Sequence, residues 1–126
     1  MRFGYARVST EDQKTDRQLD ALREYGVDEI FSEKISGTKR SRPELNRLLD
    51  KLRSGDTLVV YELKRLGRNT KQLLALAEEF QANQIEFVSL TEKIDTTTPM
   101  GRFVFTTWCA LAQLDRDIIS ENTKSG

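Results

Sequence analysis

The stretch TLVVYEL, Thr57 to Leu63, follows the turn signal Ser54-Gly55 and is dominated by β-branched and aromatic residues. A short apolar run with those bounds reads as a strand covered on both faces, as strands of parallel sheets are. After a basic loop, KRLGRNT, the segment Thr70–Gln81 carries Leu73, Leu74, Leu76, Ala77 and Phe80 at helical spacing, and Glu86–Leu90 reads as another strand. Strand, helix, strand is the unit that joins parallel neighbours through a crossover. Toward the N-terminus the alternation repeats. Arg2–Val8 reads as a strand, and Asp12–Tyr25 as a helix with Leu19, Leu22 and Tyr25 on one stripe, closed by Gly26. Glu29–Glu33 is a short strand, and Pro43–Leu52 a helix with Leu45, Leu48, Leu49 and Leu52 inward, ended by Gly55. The pattern predicts an α/β fold of three layers, α/β/α, around a mostly parallel sheet.

The C-terminal element differs. Thr98-Pro99 has the form of an N-cap followed by proline at the first helical position, and nothing breaks a helix from there to about Thr123. At 1.5 Å per residue it would run roughly 37 Å, against a diameter of roughly 35 Å for a domain of this size. Residues 1–98 are therefore read as the α/β body, and 99–126 as a long helix of the same domain that reaches past it. Its first half is apolar nearly all round: Phe103, Val104, Phe105, Trp108, Cys109 and Leu111 cannot share one stripe. One sheet covers one face of a helix, so Phe103, Val104, Trp108 and Leu111 are candidate contacts with another copy of the chain. The competing explanation is an ordinary, fully buried core helix.

Composition excludes more than it proposes. Among 126 residues there are 20 basic and 20 acidic ones, one cysteine and no histidine. Ser-His-Asp chemistry, histidine zinc sites, disulfides and cysteine-rich metal sites are ruled out, and no glycine-rich nucleotide-binding motif occurs. No cofactor is expected. The absence of a long apolar run or a signal-like start points to a soluble intracellular protein. Any catalysis here has to use hydroxyls, carboxylates, lysines and arginines.

Arginines stand where helix starts should repel them. Arg65 and Arg68, with Lys64, precede the helix beginning near Thr70; Arg42 occupies the cap position before Pro43; Arg7 lies just ahead of the first helix. Helix N-termini carry partial positive charge. All three sites fall at the carboxyl ends of predicted strands, where parallel α/β sheets place their ligand crevice. A bound anion would satisfy amides and guanidinium groups together, and arginine suits bidentate recognition of phosphate. Arg7 and Ser9 share a strand face, which sets a hydroxyl beside that anion. A hydroxyl, several arginines and a phosphate make a phosphoryl-transfer site that works by positioning and charge stabilisation. The plainer alternatives are that Ser9 or Thr10 caps the next helix and that the arginines are unrelated surface groups.

The motifs YARVST with Gln18, SGTKRSRPEL, RLGRN, and IDTTTPMGRF followed by ALAQLDRDIISENTKSG together resemble the catalytic domain of the serine recombinases, the DNA invertase and transposon resolvase family. They occur in that family's order and spacing across the whole chain. The resemblance implies that Ser9 attacks a DNA phosphodiester to give a 5′-phosphoserine and a free 3′-hydroxyl, with strand exchange and religation to follow. It implies that Arg7, Arg65 and Arg68 bind the scissile phosphate with help from Arg42, and that Gln18 and Ser36 are supporting polar groups. Lys64, Lys71 and Lys124 are the implied DNA contacts. The implied partners are a double-stranded DNA crossover site and copies of this chain, as homodimer and synaptic homotetramer, in the cytoplasm of a bacterial, phage or plasmid host system and away from membranes.

The sequence departs from the family pattern in several places. Lys64 stands where the family usually has the aspartate of D-R-L-G-R, Asn122 where it often has the arginine of E-R-T, and Trp108-Cys109 where a smaller or more flexible pair is common. The family's helix-turn-helix domain is expected beyond Gly126, which would make this chain a truncated form. Two other readings compete with an enzyme of DNA breakage and rejoining. One is a non-catalytic module that docks recombinase subunits, consistent with Lys64. The other is a small-molecule phosphotransferase or signalling receiver, which would need aspartates at the strand ends that hold arginines here.

Overall fold

In the computed structural model, residues 1–9, 15–35, 42–67 and 70–125 are described. They form β1 (Arg2–Ser9), α1 (Thr15–Tyr25), β2 (Glu29–Ile35), α2 (Pro43–Lys51), β3 (Thr57–Val60), α3 (Leu63–Leu66), α4 (Thr70–Ala82), β4 (Glu86–Ser89), β5 (Ile94–Asp95) and α5 (Pro99–Ser125). The sheet order is β2-β1-β3-β4-β5. The first four strands are parallel, and β5 runs antiparallel along β4.

The strand order places the helices. The chain steps from β1 outward to β2, then back across β1 to β3 and on to β4. Because such crossovers are right-handed, α1 lies on one face while α2 and α4 lie on the other. The strands alternate accordingly. Phe3, Tyr5, Phe31, Leu58, Val60 and Phe87 point to the face packed by Leu45 and Leu48 of α2, Phe80 of α4 and Phe105 of α5. Ala6, Val59 and Val88 point to the other face, against Leu22 of α1. That second face is built from small residues near α1, which lets the helix approach closely: a Cβ on Gly4 would sit 3.2 Å from Leu22 Cδ1.

Two expectations are corrected. The strand begun at Thr57 ends at Val60, opposite Tyr5, not at Leu63. The chain then turns into α3, its first amide (Leu63) donating to the Glu92 carboxylate at 3.2 Å and Gly67 N–H closing the turn on the Leu63 carbonyl. Lys64 and Arg65 therefore belong to a helical turn of their own. The antiparallel β5 was unforeseen, because two residues carry no readable period.

Helix α5 spans 27 residues, about 40 Å at 1.5 Å per residue. Thr98 caps it as expected, its Oγ1 accepting from Gly101 N–H at 3.1 Å, with Pro99 in the first position. The helix is not uniformly buried. Gly101, Phe105 and Cys109 form the inward stripe, with Trp108 half-buried against the same core, while Met100, Phe103, Leu111, Leu114 and Ile118 are exposed. From Gln113 to Ile119 every described side chain is exposed, and the helix stays tied to α4 by the forked pair of Arg116 with Glu78. Among the described residues no helix is long and apolar enough to cross a membrane.

The joint between β5 and α5 is the tightest backbone approach. A Cβ at Gly101 would lie 1.8 Å from the Asp95 carbonyl oxygen. Gly101→Ala should therefore lower stability by about 2–3 kcal/mol through overpacking, although glycine-to-alanine in an open helix gains about 1 kcal/mol. Denaturant unfolding of both proteins reads the sign directly.

Candidate phosphate-binding site

Where β3 ends, β1 continues toward Ser9, and Arg7 meets α3 instead of a strand. Arg7 Nε donates to the Arg65 carbonyl at 3.0 Å and Nη2 to the Lys64 carbonyl. Arg42, 4% exposed, donates from Nη1 to the Leu66 carbonyl. Three successive carbonyls at the C-terminal end of α3 thus accept from two guanidinium groups. Cations are favoured at that end of a helix. Lys64 and Arg65 thus lie within α3, ahead of α4 in the chain, and Arg42 stands at the cap of α2 as expected.

Arg65 reciprocates. Its Nη1 donates to the Arg7 carbonyl at 3.2 Å, and its Nε to Glu62 Oε1 at 3.1 Å. The Arg7 carbonyl also accepts from Gln18 Nε2 at 3.3 Å. Gln18 comes from α1 and is 1% exposed, and its Oε1 has no hydrogen-bond partner among the described residues. Four sequence-predicted groups, Arg7, Gln18, Arg42 and Arg65, are therefore gathered by β1, α1, the lead-in to α2, and α3. The knot surrounds a carbonyl two residues before Ser9, whose backbone ends β1 opposite Ile35. The side chains of Ser9 and Lys124, and all of Ser36 and Arg68, lie outside the described residues, as does the cap role weighed for Thr10. Lys64 and Lys71 are exposed, Lys64 Nζ lying 3.7 Å from Glu62 Oε1.

At the start of α2 the open amides meet a carboxylate of the chain's own. Buried Glu33 accepts from Glu44 N–H at 3.1 Å and Leu45 N–H at 3.3 Å, so a carboxylate from β2 satisfies two of the helix's open amides. Its Oε2 also accepts from the Tyr5 hydroxyl at 2.6 Å. Burial, then the bond and charge of Glu33, push the Tyr5 phenol well above its ordinary value near 10. Sequence reading missed Glu33, yet a signal was there. It shares strand parity with Phe31, so an acidic residue had to point into the core. Two open grooves lie elsewhere: one of about 510 Å³ near Gln84, Glu86 and Thr96, and one of about 540 Å³ near Thr97, Arg102 and Phe103. Neither touches the arginine cluster.

Over residues 2–126 the sequence matches the family described as resolvase, N-terminal domain. The chain belongs to that family. It is 49% identical over its whole length to the transposon Tn917 resolvase of Enterococcus faecalis, covering 68% of that protein. It is 51% identical to the serine recombinase gin of Escherichia phage Mu, covering 65% of it, and 49% identical to a DNA-invertase of Escherichia phage P1, covering 68%. The chain thus spans about two thirds of the length of these relatives. Among solved structures, the N-terminal catalytic domain of TP901-1 integrase superposes with a TM-score of 0.72 at 32% identity, covering 94% of this chain and 98% of that one. A resolvase-family site-specific recombinase from Streptococcus pneumoniae shares the fold at 20% identity, with a TM-score of 0.64, covering 100% of this chain and 95% of that one. The α/β architecture is that of resolvase and integrase catalytic domains, and the chain carries the catalytic-domain type of the serine site-specific recombinases.

The buried phenol gives this site a pH signature. A raised folded-state value means Tyr5 adds stability that is complete below pH 10 and is lost as the pH climbs beyond it. Tyr5 phenolate absorbance should appear only together with cooperative alkaline unfolding, and Tyr5→Phe should move that unfolding to higher pH. An absorbance titration run beside circular dichroism checks both.

Proposed function

We propose that this chain cuts and rejoins DNA through Ser9. Its hydroxyl oxygen attacks a backbone phosphorus, the bond to the 3′-oxygen breaks, and that oxygen leaves carrying a proton as a free 3′-hydroxyl. The 5′-phosphoserine conserves the bond energy, so the reverse attack by a 3′-hydroxyl reseals the strand without a cofactor. The observation that carries this reading is the convergence of Arg65 and Gln18 on the Arg7 carbonyl, two residues ahead of Ser9, with the Arg7 side chain bonded back to the Arg65 carbonyl. Arg65, with Arg68 from the adjoining loop, is the proposed phosphate ligand. Arg7 and Arg42 also hold α3 by its carbonyls, which gives them a structural share in the site. Ser36 is proposed as a polar support.

Double-stranded DNA is the proposed substrate, approached by Lys64, Lys71 and Lys124. The proposed assembly is a homodimer that pairs into a synaptic homotetramer through α5. Phe103, 68% exposed, and Leu111 are its best-placed apolar contacts, with Val104 beside them. Trp108 contributes mainly to the core it packs against. A non-catalytic docking module is the second reading, favoured only by Lys64.

Ser9→Ala should abolish covalent capture of 5′ DNA ends while shifting stability by no more than the ~1 kcal/mol of a lost cap. Incubation with duplex DNA of randomised sequence, denaturation and recovery of protein-bound 5′ ends is the assay; adduct from the alanine variant rejects the nucleophile. Arg65→Lys should slow adduct formation by about 10²–10³, because an ammonium cannot reproduce the planar, preorganised contact. Phe103→Glu should leave the fold intact and weaken self-association, read as a shift toward monomer in sedimentation equilibrium.

A further inference from the structure

Among the described residues three carboxylates approach the arginine cluster, and two are committed. Glu33 caps α2 and holds Tyr5. Glu92 accepts from the Leu63 amide and the Ser89 hydroxyl. Glu62 differs. It sits on the extended residue between β3 and α3, and both its side chain and that of Arg65 are only 18% exposed. Its Oε1 lies 3.1 Å from Arg65 Nε and 3.7 Å from Lys64 Nζ. With Nε held by Glu62 and Nη1 held by the Arg7 carbonyl, the Arg65 guanidinium has its plane fixed at two points. One of these is a charge and the other is the main chain of the strand that leads to Ser9.

We propose that Glu62 is the positioning residue for Arg65 in this chain, supplying from two positions earlier the carboxylate that Lys64 does not provide. The inference rests on the function proposed for Ser9 and Arg65. It explains how a lysine is accommodated at position 64: the same carboxylate that orients Arg65 also faces the ammonium, so the added cation meets an anion within the turn. Glu62 acts through Arg65, and it does so by direction more than by binding. The pair is partly shielded, and a glutamine oxygen at position 62 can still accept from Arg65 Nε, so folding depends on its charge less than the rate does. A small misplacement of a group facing the reacting phosphate is costly in rate.

The test is single-turnover adduct formation on duplex DNA of randomised sequence, measured across DNA concentrations for the parent, Glu62→Gln, and Glu62→Gln combined with Lys64→Asp. Glu62→Gln should lower the rate at saturating DNA by about 10–100-fold. The half-saturating DNA concentration should stay the same or fall, because a negative charge has been removed near phosphates. The thermal unfolding midpoint should fall only slightly, since the glutamine oxygen keeps an acceptor for Arg65 Nε, and Lys64→Asp in the Glu62→Gln background should recover most of the rate. Equal rates for parent and Glu62→Gln overturn the assignment, as does a loss of rate that the second carboxylate fails to restore. No adduct from the parent removes the serine chemistry and the role of Glu62 together. Adduct from the parent that is undiminished in Glu62→Gln removes only the role of Glu62.

Discussion

The bonds from Arg7 and Arg42 to the carbonyls of residues 64 to 66 are the constraint on which the site depends. A helix of four residues has almost no intrinsic stability, since forming the first turn fixes several torsions for one hydrogen bond. Here its open carbonyls are answered by two guanidinium groups, its first amide by Glu92, and its first basic side chains by Glu62. The turn is rigid because other elements hold it at both ends. Placing guanidinium groups this deep is unfavourable unless their donors are engaged. The carbonyls of residues 64 to 66 engage Nε and Nη2 of Arg7 and Nη1 of Arg42, and Glu62 and the Arg7 carbonyl engage Arg65.

The same economy governs α2. Arginine at its cap and proline at its first position leave the amides of Glu44 and Leu45 without a local acceptor. Glu33 reaches them from the neighbouring strand and takes the Tyr5 hydroxyl as well. Tyr5 lies two residues before Arg7 on β1, so the strand that carries the candidate nucleophile is anchored to α2 on one side and α3 on the other. Positioning at the tip of β1 follows from polar bonds made within the core, not from loop geometry alone.

The sheet, its parallel sense and four of its helices were legible because their signals are periodic and local: leucines at helical spacing in 43–52 and 70–81, and alternation along 2–8. Thr98-Pro99 marked the start of α5 with its cap. What escaped was set by contacts between distant segments. β3 stops at Val60 because Tyr5 is its last partner on β1, and no property of TLVVYEL itself announces that. α3 exists by virtue of Arg7, Arg42 and Glu92, each more than 20 residues away in sequence. Arg7, Arg42 and Arg65 were picked out through charge in unfavourable places, and Gln18 only through the resemblance. Glu62, which pairs with Arg65, and Glu33, which caps α2, went unnoticed because an isolated glutamate looks like surface. The long helix was read as apolar all round; in the fold its apolar residues divide into a stripe serving its own core and a row facing outward.

That division matters beside the way the sheet is finished. At one margin, β5 is an antiparallel stub of two residues that ends the ladder after β4. At the other, β2 turns Ser32 and Lys34 outward, and Glu29 is paired with Lys51. Short margins and charged side chains are what discourage one sheet from extending into another. Growth by strand addition, which could propagate without limit, is thereby discouraged at the described margins, and the apolar row on α5 is the surface that the proposed assembly would use. Assembly routed through a helix can close on itself, as symmetric complexes do, and helices that pack by side chains alone can slide or part without breaking a hydrogen-bond ladder.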